Sequence, residues 1–121
     1  MAHILIVDDS ATDVKLLTGM LEKAGHKVSS AVDAESGIAA ARATSPDLIL
    51  MDVIMPGMNG FQATRSLSKD PATSSIPVMI VTPKSMETDR VWAMRQGAKD
   101  FLVKPISEKD LLARIQTLLN T

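Results

Sequence analysis

The sequence predicts an α/β fold, a doubly wound five-stranded parallel sheet flanked by five helices. Three observations predict it. Short apolar runs alternate with segments of helical period along the whole chain. The connections are only a few residues long, so each helix has to serve as a crossover, and short right-handed crossovers make the strands parallel. The middle runs are apolar throughout, as strands covered on both faces require.

Taken in order, His3-Ile4-Leu5-Ile6-Val7 reads as the first strand and ends in Asp8-Asp9. Ser10 with Asp13 three residues on has the form of a capping box, with Asp in place of Glu. Val14, Leu17, Leu21 and Ala24 follow at helical spacing until Gly25 stops the helix. Lys27 to Val32 is a more polar strand, suited to a sheet edge, and Asp33 caps a helix through Ile38 and Ala41 to about Thr44, closed by Pro46.

Leu48-Ile49-Leu50-Met51 is the central strand and delivers a single carboxylate, Asp52, at its end. Met55-Pro56-Gly57 turns the chain, and a helix runs from Asn59 to about Lys69 with Phe61, Thr64, Arg65 and Leu67. After a polar loop, Pro77 opens the strand Val78 to Thr82, where a missing N–H is tolerable. Ser85 is expected to cap a helix to about Gln96, and Gly97 ends it. Phe101-Leu102-Val103 is the fifth strand and runs into Lys104-Pro105. Ser107 with Asp110 suggests another box, Ile106 is placed to staple onto Leu111, and Leu111, Leu112, Ile115, Leu118 and Leu119 stripe the last helix.

Composition narrows the function. At 121 residues the chain is expected to be one domain, spanning 1–121. Lysine and arginine number 13 against 14 acids, so no basic field favours nucleic acid. No apolar run approaches the roughly 20 residues of a membrane span, and the N-terminus lacks a signal peptide's basic flank. With no cysteine there is no disulfide framework and no thiolate metal site, and a cytoplasmic location is expected.

Chemistry gathers at the carboxyl edge of the sheet, where open α/β folds hold their ligands. Strand one ends in Asp8 and Asp9, strand three in Asp52, strand four in Thr82 and strand five in Lys104. Three close carboxylates resist joint ionisation unless a cation compensates, and an all-oxygen cluster suits Mg²⁺. Acid, metal, lysine and hydroxyl around one open point make a phosphoryl-transfer site.

The motifs ILIVDDS, LILMDVIMPGMNG and KDFLVKP, with the strand ending in Thr82, resemble the receiver domains of two-component response regulators, and among them the CheY-like single-domain receivers. The resemblance covers essentially all of the chain and implies a flavodoxin-like fold of strand order 2-1-3-4-5. It implies that Asp52 accepts a phosphoryl group from a histidine kinase, and that Asp8, Asp9, Asp52 and the backbone carbonyl of Ile54 hold Mg²⁺. Lys104 would pair with the phosphoryl oxygens and precede a cis peptide to Pro105. Thr82 and Phe101 look like a switch pair that remodels a partner face, on which Arg90, Met94 and Phe101 are placed. Such a protein is not an enzyme beyond its own phosphorylation and dephosphorylation, is expected to be a monomer, and passes its signal to an output protein that the sequence does not name. The runs GFQATRSLSKD and ETDRVWAMRQGAKDFLVKP look especially like the receivers that govern type IV pilus twitching motility.

Two features depart from a bland pattern. Trp92 lies on a helix where it reads either as a partly buried packing residue or as a docking anchor. Pro83 follows Thr82, where related receivers have a small residue whose N–H donates to the phosphoryl group. Proline has no such N–H, so it reads either as a plain strand terminator or as a weakened phosphoryl site. Other functions were weighed against the receiver. A haloacid-dehalogenase-type phosphatase needs a second acid two residues past the nucleophile, and Ile54 stands there. A nucleotide- or flavin-binding module needs a glycine-rich loop after strand one, where Asp8-Asp9-Ser10 repels anions. Within the family, a phosphate sink without an output partner fits the same residues as a messenger.

Overall fold

The computed structural model describes residues 1–120. Five strands, β1 (His3–Val7), β2 (Lys27–Ala31), β3 (Leu48–Met51), β4 (Val78–Thr82) and β5 (Asp100–Val103), alternate with helices α1 (Ala11–Lys23), α2 (Ala34–Thr44), α3 (Gly60–Lys69), α4 (Glu87–Arg95) and α5 (Glu108–Leu119). The strands form one parallel sheet in the order β2-β1-β3-β4-β5. β2, with its Ser29 and Ser30, lies at an edge, as its polarity foretells.

Alternation along the inner strands divides the core in two. Leu5, Val7, Ile49, Met51, Val78, Ile80 and Phe101 face one side, against Ala34 and Ala41 of α2, Phe61, Ala63 and Leu67 of α3 and Ala93 of α4. Ile4, Ile6, Leu48, Leu50, Met79, Val81 and Leu102 face the other, against Leu17 and Leu21 of α1 and Leu111 and Ile115 of α5. Each fully buried Leu or Ile contributes about 1.5–3 kcal/mol of transfer free energy. Ile106 packs into the second cluster, which contains Leu111, as the staple requires.

Most helix starts follow the sequence. Asp33 and Asn59 make full capping boxes with Ser36 and Gln62. Three expectations need correction. Ala24 is the exposed C-cap of α1 and not part of its buried stripe. Ser85 does not cap α4: the N-cap is Met86, which offers no side-chain hydrogen bond, and the helix is the shortest of the five. Ser10 and Ser107 each accept from the N–H three residues on, but the return half of each box is missing. The Asp110 carboxylate accepts from Arg114 instead, and that of Asp13 from Lys104. In both places a charged partner outbids a neutral backbone donor, since charge-assisted hydrogen bonds are about twice as strong.

Candidate functional site

Ladder hydrogen bonds that run just past the strand ends assemble the site. The Asp8 N–H donates to the Ala31 carbonyl (3.1 Å), Asp52 N–H to Val7 (3.0 Å) and Lys104 N–H to Thr82 (2.9 Å). The backbone of each residue is therefore held by the neighbouring strand, and its side chain emerges at the carboxyl edge. A turn with Gly57 at φ 77° leads from β3 toward α3. The first residue of α3, Gly60, then presses directly on the Asp52 carbonyl; a β-carbon there would overlap that backbone.

Carboxylate oxygens of Asp8, Asp9 and Asp52 all come within 4.8 Å of one another. Asp8 and Asp52 are buried and Asp9 is exposed, so the cluster opens to solvent on the Asp9 side. Lys104 Nζ donates to Asp8 Oδ2 (2.8 Å), Asp13 Oδ2 (2.8 Å) and, at a longer 3.3 Å, Asp52 Oδ2. The other Asp52 oxygen accepts from the Val53 N–H at 2.7 Å.

The electrostatics show an excess of acid. Burial raises the Asp52 carboxyl above its ordinary value; the Lys104 charge opposes that and the Asp8 charge adds to it. Burial acts against the Lys104 charge, but the hydrogen bonds it donates to Asp13 and Asp8 and the charges of Asp52 and Asp8 outweigh it and raise its pKa. Asp13 is lowered, chiefly by its hydrogen bond to Lys104. One ammonium thus serves three acids, with Asp9 left over. Such a donor set, oxygen-only and over-charged, fits a hard divalent cation that keeps several waters.

Thr82 is fully buried, and its Oγ1 accepts from the Lys84 N–H at 3.4 Å. Phe101 pairs with Ile80 on β4, two residues short of Thr82 and on the same face. Its ring is buried, so it already lies inward. Phe101 and Arg90 line one groove of about 390 Å³ with Ser85, Met86 and Arg114, between α4, β5 and α5. Met94 is 42% exposed and lies outside that groove's lining. Trp92 is 49% exposed, more open than a packing residue, and Val91 beside it is 43% exposed. The peptide between Lys104 and Pro105 is cis.

Sequence reasoning missed two participants. Asp13 was assigned to a helix cap; its position one turn after Asp9 was the available signal that its carboxylate could reach the same edge. Gly60 lies within the helix expected from Asn59, and nothing local to it shows the contact with Asp52.

The sequence model of the response regulator receiver domain matches residues 4–116. The chain belongs to that family. This receiver is 58% identical over 119 residues to the protein PilH of Pseudomonas aeruginosa, the match covering 98% of both chains. Several other curated relatives are longer, and the receiver spans 26% to 51% of their length. Among solved structures it is similar to the chemotaxis protein CheY4 of Vibrio cholerae, with a TM-score of 0.91, 30% identity and 98% of each chain covered. It is also similar to the receiver domain of the sensor histidine kinase PA1611 of Pseudomonas aeruginosa, with a TM-score of 0.92, 26% identity and 99% and 98% coverage. That domain carries a magnesium ion coordinated in its active-site cleft. The flavodoxin-like order implied by the resemblance is the one observed. Among the described residues no helix is long and apolar enough to cross a membrane.

Proposed function

We propose that this receiver accepts a phosphoryl group on Asp52 from the phosphohistidine of a histidine kinase. The observation that carries the reading is the convergence on Asp52 of a paired lysine and two further acids. An Asp52 carboxylate oxygen attacks phosphorus, the phosphorus–nitrogen bond breaks, and the leaving imidazole keeps its electron pair and takes a proton from solvent. Asp9 and Asp52, with the Ile54 carbonyl, would hold Mg²⁺ directly, and Asp8 partly through water. Bound there, the cation would neutralise charge on the group in transit.

The remaining steps belong to the protein's own side chains. Lys104 lies 3.3 Å from Asp52 Oδ2 and trades that contact for a phosphoryl oxygen. Thr82 turns its hydroxyl from the Lys84 N–H toward the same group. Phe101 below it fixes the new position, and the groove bordered by Arg90 changes shape, with Met94 on the same helix. The output is thus a protein that reads the α4-β5-α5 face; the receiver catalyses nothing beyond its own phosphorylation and dephosphorylation. It works as a single unit over 1–121, a cytoplasmic monomer with no nucleic acid or membrane partner. The resemblance to receivers of type IV pilus twitching motility makes that system the proposed setting, and the likeness to PilH supports it.

A phosphotransfer time course from candidate histidine kinases tests this. Label is expected to move to the wild-type receiver and not to Asp52→Asn. Transfer to both proteins would place the acceptor elsewhere.

A further inference from the structure

An ammonium group has three N–H donors, and all three of Lys104 are committed to carboxylates. Two of those acids belong to the cluster that fits a cation. Asp13 does not: it comes from the first turn of α1, and its backbone N–H is already used by the Ser10 cap. Its carboxylate forgoes the capping box and makes a 2.8 Å ion pair with Lys104. A phosphoryl group on Asp52 needs at least one of the same N–H donors. The Asp52 contact is the longest of the three and the one most readily exchanged for a phosphoryl oxygen, and Asp8 would be shared with a bound cation. Asp13 alone has no second task in that exchange.

We infer that Asp13 is a positioning residue that competes with the phosphoryl group for Lys104, and so sets how tightly that group is held and how long it lasts. The inference rests on Asp52 being the acceptor. The Asp13 side chain is 36% exposed whereas that of Lys104 is 13% exposed, so the acid can be removed without opening the core. The competing pair is partly solvated, which keeps the effect modest, on the order of twofold to fivefold.

The test is calorimetric titration of beryllofluoride, a phosphoryl mimic, in the presence of Mg²⁺, with the lifetime of the acyl phosphate as a second reading. Asp13→Ala and Asp13→Asn are expected to bind the mimic about twofold to fivefold more tightly and to hydrolyse the acyl phosphate correspondingly more slowly. Asp13→Glu, which can still reach the lysine, is expected to stay close to wild type. In a Lys104→Ala background, Asp13→Ala is expected to gain much less. Equal or weaker binding by Asp13→Ala would overturn the inference, as would the same gain with and without Lys104, which would mark a general charge effect. Wild-type protein that takes up no beryllofluoride at all would instead reject the Asp52 reading on which the inference stands.

Discussion

Asp52 carries two opposed demands, since a nucleophile must be ionised and its burial disfavours that charge. Its raised pKa has a definite sign for stability. A carboxyl held above its unfolded value binds more protons in the folded state. Asp52 alone therefore contributes stability to the metal-free protein as pH falls from neutral through the raised value toward 3.8, and that contribution is complete below 3.8, whereas the lowered Asp13 acts with the opposite sign. Asp52→Asn removes the charge, so it should stabilise the metal-free protein at pH 7. The advantage should shrink as pH falls and vanish below the ordinary carboxylate value, a pattern that paired urea titrations would reveal. At the neighbouring position, Pro83 has no N–H to offer a phosphoryl oxygen. A hydrogen bond to a charged group contributes roughly 1.5–3 kcal/mol, and each ~1.4 kcal/mol is one decade in rate. Pro83→Ala should therefore speed phosphorylation by a small phosphodonor about tenfold or more. Equal rates would mean that the Lys84 N–H, now on the Thr82 hydroxyl, already supplies the donor.

At the scale of elements, α3 and α4 behave differently for reasons that lie in their first residues. α3 begins with a full capping box and with Gly60 seated on the Asp52 backbone. Gly60→Ala should push α3 away from β3, destabilise the protein by about 1–3 kcal/mol and impair phosphorylation as well. Gly19→Ala in α1 is the control, because nothing lies near its added carbon, and it should stabilise by about 0.5–1 kcal/mol. Thermal melts of both variants would check the contrast. α4 has no side-chain cap and buries only Ala93, so little fixes it to the sheet. In the proposed switch an element so lightly held is suited to moving when Thr82 turns, because low local stability is what switching segments share.

Across the whole molecule, the elements and their parallel pairing were legible because period and turn residues carry them. Strand ends were legible too, and with them Asp8, Asp9, Asp52, Thr82 and Lys104 at one edge. The choice Asp13 makes between its own helix cap and a lysine 91 positions away was not. That choice depends on tertiary distance and charge, which local spacing does not encode. The same limit hid the contact of Gly60 with Asp52 and left Ser85 with a cap it does not make. Because the acid cluster outnumbers its lysine, a cation that binds only the folded state should stabilise the protein. Millimolar Mg²⁺ is expected to raise the melting temperature at neutral pH, and to do so less in Asp52→Asn. An unchanged melting temperature would remove the metal from the account. The central claim is that Asp52 is the phosphoryl acceptor, and intact-mass spectrometry after incubation with acetyl phosphate and Mg²⁺ tests it most directly. The account predicts one added phosphoryl group, labile to base, present in wild type, reduced in Lys104→Ala and missing from Asp52→Asn and Asp52→Ala. A phosphoryl group retained by both Asp52 variants would contradict it.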